Sequence, residues 1–393
     1  MEHKPMDLDR RRFLRMALAS MLAAPLTGGC RREAAPAPSV PLGDPRATLK
    51  VRGYRGLAEL PYFAVDANGD LRLTVDDLPA GLDFHTHLAF NMLLSPSVDL
   101  LRRTPETRYL IDCDGSQPPC VLDLDVYINR IATPDMLDHM EAEIRGMLLF
   151  GSRAAETHTI PNLLAEMDRM RVERAVVLAV SPGFPFGDNL TQRWRDAIAQ
   201  SGAAERLILF GSVRPTVRGA VERLRELKTL GIRGVKLHPT MQRFYPDDPQ
   251  AMPFYAACAE LDLPVFFHAG RAGIEPEFTR EHAAMKHYVA PVAEFPQVRF
   301  IFGHAGARDY ADAIPIAKAH QNVLMEIAGQ GVAALRELLA ELGPERLVFG
   351  SDWPFYPLAP TVAKLLIVTG GDKAARDMIF SGNARRFLAL SAP

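Results

Sequence analysis

The chain predicts an α/β fold, a (β/α)8 TIM barrel with a small N-terminal hairpin segment and a long insertion after its first strand. Three observations carry this prediction: eight short apolar runs recur, amphipathic stretches separate them, and polar side chains close nearly every run. Apolar strands joined by crossovers make a parallel sheet covered on both faces. Eight of them close a barrel, whose active site lies at the C-terminal strand ends. A doubly wound open sheet is the competitor, and it gives no reason for polar residues at that end of so many strands.

The runs are 81–87, 175–180, 207–213, 234–237, 264–268, 298–304, 323–328 and 347–352. From the second onward they recur every 23 to 35 residues, room for one strand, one helix and two loops. About ninety residues separate the first from the second. The excess, roughly 88–158, reads as an insertion over the barrel mouth, where long loops serve as lids or binding surfaces. The barrel as a whole is expected over 81–390.

The 393 residues are 48% hydrophobic and 23% charged with 4 cysteines, which argues against a disordered, collagen-like or disulfide-scaffold protein. The net charge is −2 and basic residues cluster only at the start, so no nucleic-acid partner is expected. That start is Arg10-Arg11-Arg12-Phe13-Leu14-Arg15, followed by eleven mostly apolar residues at 16–26. Eleven residues cannot span a bilayer, so 1–29 reads as a signal peptide. It resembles the twin-arginine type, and Cys30 after small residues resembles a lipoprotein lipidation site, a plain signal cleaved nearby being the alternative. Removing 1–29 takes away five basic and three acidic side chains and leaves a charge of −4. Residues 30–47 are rich in Pro and Ala and read as a tether. The expected location is therefore periplasmic or extracytoplasmic, touching the membrane only through a lipid anchor.

Such a compartment permits disulfides. Cys113 and Cys120 flank a turn-rich loop that brings them within reach, with two free thiols as the alternative; Cys258, at helical spacing, reads as core. Within 48–80, Asp66-Ala-Asn68-Gly-Asp70 with Asp77 has partial EF-hand-like spacing, but Leu71 stands where the sharp turn wants Gly. A hairpin is preferred, with Phe63 and Val65 on one arm, Leu71, Leu73 and Val75 on the other, and Asn68-Gly69 as a two-residue turn.

The first barrel run ends in Asp83-Phe-His85-Thr-His87, and histidines at i and i+2 share one side of a strand and can reach one cation. Three further runs deliver His268, His304 and Asp352 to the same barrel face. Solitary core or surface histidines would not fall together this way.

With these residues in place, the chain closely resembles the amidohydrolase superfamily, in its amidohydrolase-related branch of metal-dependent hydrolases and non-oxidative decarboxylases. The resemblance covers about 81–390. It rests on the His-x-His, Gly-Val-Lys236-Leu-His238-Pro, two His-Ala-Gly strands, Gly-Ser-Asp352-Trp-Pro, and Ser-Gly-Asn383-Ala-Arg-Arg-Phe-Leu. It implies that His85, His87, His268 and Asp352 hold one divalent metal, a donor set that suits Zn2+. Asp352 would also accept the proton of the attacking water, while His304 stays off the metal as acid/base or oxyanion stabiliser. Lys236 reads as a substrate-binding cation, with a bridging carbamate or a structural ion pair as alternatives, and His238 as a supporting residue. Arg271, three residues past His268, could grip a substrate carboxylate or simply be solvated. The implied activity is hydrolysis of an amide, ester or lactone of a small molecule by metal-activated water. The alternative is metal-dependent decarboxylation of an aromatic or enol acid. A third option, an exported binding lipoprotein with a vestigial site, should have lost a ligand, and none is missing. A homodimer stays open.

Overall fold

The computed structural model describes residues 49–184 and 186–390. The signal peptide, Cys30 and the tether lie outside the described residues.

The barrel strands are β4 (Gly81–Thr86), β6 (Val172–Leu178), β7 (Leu207–Phe210), β8 (Val235–Leu237), β9 (Val265–His268), β10 (Phe300–Gly303), β11 (Val323–Glu326) and β12 (Leu347–Val348). They are parallel and form two hydrogen-bonded runs, β4-β6-β7 and β8-β9-β10-β11-β12. Parallel bridges from Gly211 to Val235 and from Thr86 to Trp353 join the runs into a closed barrel. The last strand is much shorter than its apolar run. Beyond Val348 the chain still crosses to β4, with Phe84 N–H donating to Phe349 O at 2.9 Å and Asp352 N–H to His85 O at 2.8 Å.

Side-chain alternation divides the interior into two layers. Leu82, Phe84, Val176, Leu178, Phe266 and Ile301 fill the lower one with further apolar side chains, and Phe387 caps it. One strand period beyond a core residue stands a polar one: His268 after Phe266, Glu326 after Leu324, and Asp352 two periods after Val348. In β4 this period is broken. A register shift between Asp83 and Thr86 moves the inward positions from Leu82 and Phe84 to His85 and His87, as a bulge does when it re-aims a strand.

Before the barrel, β2 (Phe63–Val65) pairs antiparallel with β3 (Leu71–Leu73). The expected two-residue turn is instead a wider loop. Asp66 N–H donates to Asp70 O at 2.9 Å, and the Asp66 carboxylate accepts from Asn68 N–H at 2.8 Å and Asp70 N–H at 3.1 Å. A carboxylate occupied by its own backbone in this way is an Asx turn. Strand β1 (Lys50–Arg52) pairs antiparallel with β5 (Val121–Asp123) inside the insertion. Cys113 and Cys120 form a disulfide with Cα atoms 5.0 Å apart, and Cys258 is a buried free thiol. Among the described residues no helix is long and apolar enough to cross a membrane.

Candidate metal centre

His85 and His87 are buried at the end of β4. His85 Nδ1 lies 2.8 Å from Glu326 Oε2, and His87 Nδ1 lies 2.7 Å from Leu178 O. Each Nδ1 therefore donates, which fixes the tautomer and leaves an Nε2 lone pair facing inward. Both Nε2 atoms lie 3.2 Å from the same oxygen, Asp352 Oδ1. Two lone pairs and a carboxylate oxygen at that separation repel each other unless a cation lies among them. These three side chains form one ligand-like group.

His304 comes from the loop after β10. Its Nδ1 is 3.2 Å from Ala328 O, and its Nε2 is buried, without a hydrogen-bond partner, and 4.0 Å from Asp352 Oδ2. Burial holds its pKa down at about 4, so the ring is neutral at neutral pH. His304 and Asp352 both have left-handed backbone, at φ 56° and 63°. Non-glycine residues hold that conformation at a cost, and it clusters at functional sites.

His268 sits on the opposite side. Its ring stacks on His238 with centroids 4.0 Å apart and meets His304 edge-on at 4.7 Å. Burial pushes the pKa of both stacked rings well below the ordinary 6.5. The His268 ring nitrogens have no protein partner among the described residues, so they remain available as donors. Lys236 Nζ is buried between the two sides, 3.4 Å from His85 Nε2 and 4.3 Å over the Phe266 ring. Burial lowers its pKa to about 7.

The structure corrects the reading of Arg271. Its guanidinium is held in a two-pronged pair by Asp309, with Nε to Oδ2 at 2.8 Å and an Nη to Oδ1 at 2.7 Å. The fork expected to grip a substrate is already filled.

Two buried acids escaped sequence reasoning. Glu326 accepts from the His85 ring, from His304 N–H at 3.0 Å and from Ala328 N–H. Burial pushes its pKa up to about 8 against the pull of those two backbone donors. Glu326, His85 and His304 also form a ligand-like group, but both oxygens of this carboxylate already accept N–H donors, so it orients His85. Gly350 makes room, because a Cβ there would run into Glu326 and come within 2.9 Å of His85 Cβ. Glu166, on the helix Ile160–Arg169, accepts from Trp353 Nε1 at 2.9 Å, Tyr109 Oη at 2.8 Å and Leu358 N–H at 2.7 Å. It pins the segment that follows Asp352. The only sequence signal for Glu326 is an acidic residue ending an apolar strand, and Glu166 looks like any polar helix residue.

Comparison with known proteins agrees with this architecture. A 4-sulfomuconolactone hydrolase from Rhizobium radiobacter is 27% identical over 207 residues, half of this chain and 66% of that protein. IDCase of Metarhizium anisopliae superposes with a TM-score of 0.55 at 19% identity, covering 79% of this chain and 97% of that one. For 5-carboxyvanillate decarboxylase of Sphingomonas paucimobilis the TM-score is 0.51 at 20% identity, over 65% and 91% of the two chains. An uncharacterised TIM-barrel protein of Bordetella bronchiseptica gives 0.54 at 20%, over 79% and 98%. At these identities the solved structures share the fold alone. The amidohydrolase family profile matches residues 83–390, from the acid just before the His-x-His pair to just past Phe387, and the chain belongs to the amidohydrolase family.

Proposed function

We propose that this chain is a metal-dependent hydrolase acting on an amide, ester or lactone carbonyl of a small molecule. One observation carries the reading: a single carboxylate, Asp352, faces the His85 and His87 nitrogens through Oδ1 and His304 Nε2 through Oδ2. His85, His87 and Asp352 would hold a divalent ion, with His268 completing the set, and this donor set suits zinc. The ion supplies Lewis acidity, polarising a carbonyl and making water more acidic. Asp352 accepts the proton of the attacking water. His304, neutral and with a free Nε2, sits close enough to Asp352 to relay that proton toward the leaving group. Buried Lys236, with Nζ 3.4 Å from His85 Nε2, supplies a proton donor for the substrate carbonyl oxygen as it gains charge.

The likeness to a lactone hydrolase supports hydrolysis over decarboxylation. The test is metal analysis of the purified protein, then assays of lactones, esters and amides beside carbon dioxide release from aromatic carboxylates. About one zinc per chain with hydrolysis is the expected result. Carbon dioxide release without hydrolysis would replace this reading with the decarboxylase one, and a protein that binds no divalent ion would end both.

We also propose export by the twin-arginine route with Cys30 lipidated. Changing Arg10 and Arg11 to Lys should strand the precursor inside the cell, and normal export of that variant would overturn the route.

A further inference from the structure

Two arms of the insertion reach the loops that carry the centre, and one disulfide joins them. The first arm runs through 109–113 and lies along the segment that follows Asp352. Leu110 N–H donates to Pro354 O at 3.1 Å and Ile111 N–H to Phe355 O at 3.0 Å. Both side chains are buried, and Ile111 O accepts from Tyr54 Oη at 2.7 Å. The gripped segment is itself tied to the centre. Phe355 N–H donates to Asp352 O at 2.8 Å, and His87 N–H to Trp353 O at 2.7 Å.

The second arm runs through 120–128 and holds the loop after β11. Val332 N–H donates to Leu124 O at 2.9 Å, and Ile128 N–H to Gly329 O at 2.8 Å. Gly331 lets the two backbones approach, because a Cβ there would run into Asp125 O. The same loop fixes His304. Ala328 O faces His304 Nδ1 at 3.2 Å, and buried Gln330 donates through Nε2 to His304 O at 2.6 Å and to Ala307 O at 2.7 Å. One arm therefore bears on Asp352 and the other on His304, whose side chains come within 4.0 Å of each other.

The arms have little regular structure of their own. Among the described residues, 87–120 include no helix or strand, and β5 is 3 residues long. Segments of this kind open at lower free energy than the strands of a barrel. Cys113 and Cys120 stand at the junction of the arms, 7 residues apart in sequence and 0% and 7% exposed. Cys120 N–H donates to Cys113 O at 3.0 Å, and Cys120 O accepts from Gly53 N–H at 2.7 Å. A covalent link at this junction removes conformations in which the arms part.

We propose that the Cys113–Cys120 disulfide positions Asp352 and His304 through these two arms, so that metal affinity depends on its oxidation state. The inference rests on the metal-dependent reading of the site, whichever carbonyl is attacked. Disulfides form in oxidising compartments, and the centre reaches full affinity only there. Reduction by a phosphine breaks the S–S bond, with water supplying the two thiol protons and the oxygen of the phosphine oxide. Exchange with a small disulfide reforms the bond and releases two small thiols.

The test compares the oxidised protein, the same protein reduced by a phosphine and freed of reductant, and the Cys113→Ala/Cys120→Ala variant. Zinc affinity is read by competition with a chromophoric chelator, and ligand geometry by the visible absorption of the cobalt(II)-loaded protein. Both forms without the disulfide should bind zinc about 10-fold more weakly, the lower end of what an orienting partner contributes. Their cobalt spectra should agree with each other and differ from that of the oxidised protein, and reoxidation should restore the original spectrum. Should the buried disulfide resist the phosphine, the variant decides alone. A disulfide that serves stability only would lower the melting temperature and leave affinity and spectrum unchanged well below it, and that result overturns the proposal. So does a change confined to the reduced protein, which would mark the freed thiols as zinc ligands. A variant that cannot fold overturns it too, by showing that the disulfide holds the whole fold and not the centre. Oxidised protein that binds no zinc sinks the metal-dependent reading itself, whereas tight binding indifferent to the disulfide sinks this inference alone.

Discussion

On the β4, β11 and β12 side of the barrel mouth, His85 and His87 are tied through Nδ1 to Glu326 and to Leu178 O, and both direct Nε2 at Asp352. On the β8 and β9 side, His238 and His268 lie face to face at 4.0 Å, and no protein acceptor among the described residues holds the His268 ring. The first side is built to receive a cation: tautomers are fixed in advance and donor atoms converge on one point. The second is built to keep imidazoles uncharged, since burial disfavours an added proton on either stacked ring and the charge of Lys236 opposes it further. A metal centre needs both properties. It needs ligands aimed beforehand, and neighbouring imidazoles that stay unprotonated so that their nitrogens keep a lone pair.

The comparison breaks most decisively at Asp352. Asp352→Asn keeps an oxygen beside the two imidazoles and removes the proton acceptor, so the maximal rate should fall by about 10²- to 10⁴-fold. Metal content, measured on the same preparation, should fall far less. A parallel loss of both would mean that Asp352 serves only as a ligand.

Glu326→Gln sharpens the first side. The amide can still accept from His85, but its NH2 end meets an N–H donor of the His304–Ala328 backbone. Metal affinity should weaken by about 10- to 100-fold, the usual effect of losing an orienting partner, as read by competition with a chromophoric chelator. Unchanged affinity would show that the His85 ring is held by packing alone.

The smallest effect concerns the neutral side and pH. Burial holds His158 and His304 near pKa 4, and His238 and His268 well below 6.5. In the unfolded chain these rings take up protons near pH 6.5, while in the folded protein His158 and His304 do not until about pH 4, and His238 and His268 only well below 6.5. The unfolded state therefore binds more protons in this window, and stability falls as pH drops from about 6.5 toward 4, by up to about 1.4 kcal/mol per pH unit for each ring. His238→Asn should shrink the loss of melting temperature between pH 7.5 and pH 5. An unchanged loss would place the acid sensitivity on the other rings.

Much of the site could be read locally. His85, His87, His268, His304 and Asp352 each end an apolar run, and a barrel gathers such ends on one face. Partners from distant strands could not be read this way. Glu326 lies 241 positions from His85, and nothing in its neighbourhood of sequence announces that contact. Arg271 shows the reverse error, a residue whose type and spacing suited a substrate but whose fork had been filled by Asp309, 38 positions on.

By itself the sequence determined the strand number, the parallel order and the chemistry of the residues at the barrel mouth, because apolar periodicity and residue type are properties of short segments. Tertiary structure alone decided the aim of those residues. The register shift in β4 turns His85 and His87 inward after Leu82 and Phe84, and left-handed backbone at His304 and Asp352 brings both side chains to one point. Each of these conformations costs energy locally and persists because neighbouring strands hydrogen-bond around it, so no local reading of the chain could have anticipated them.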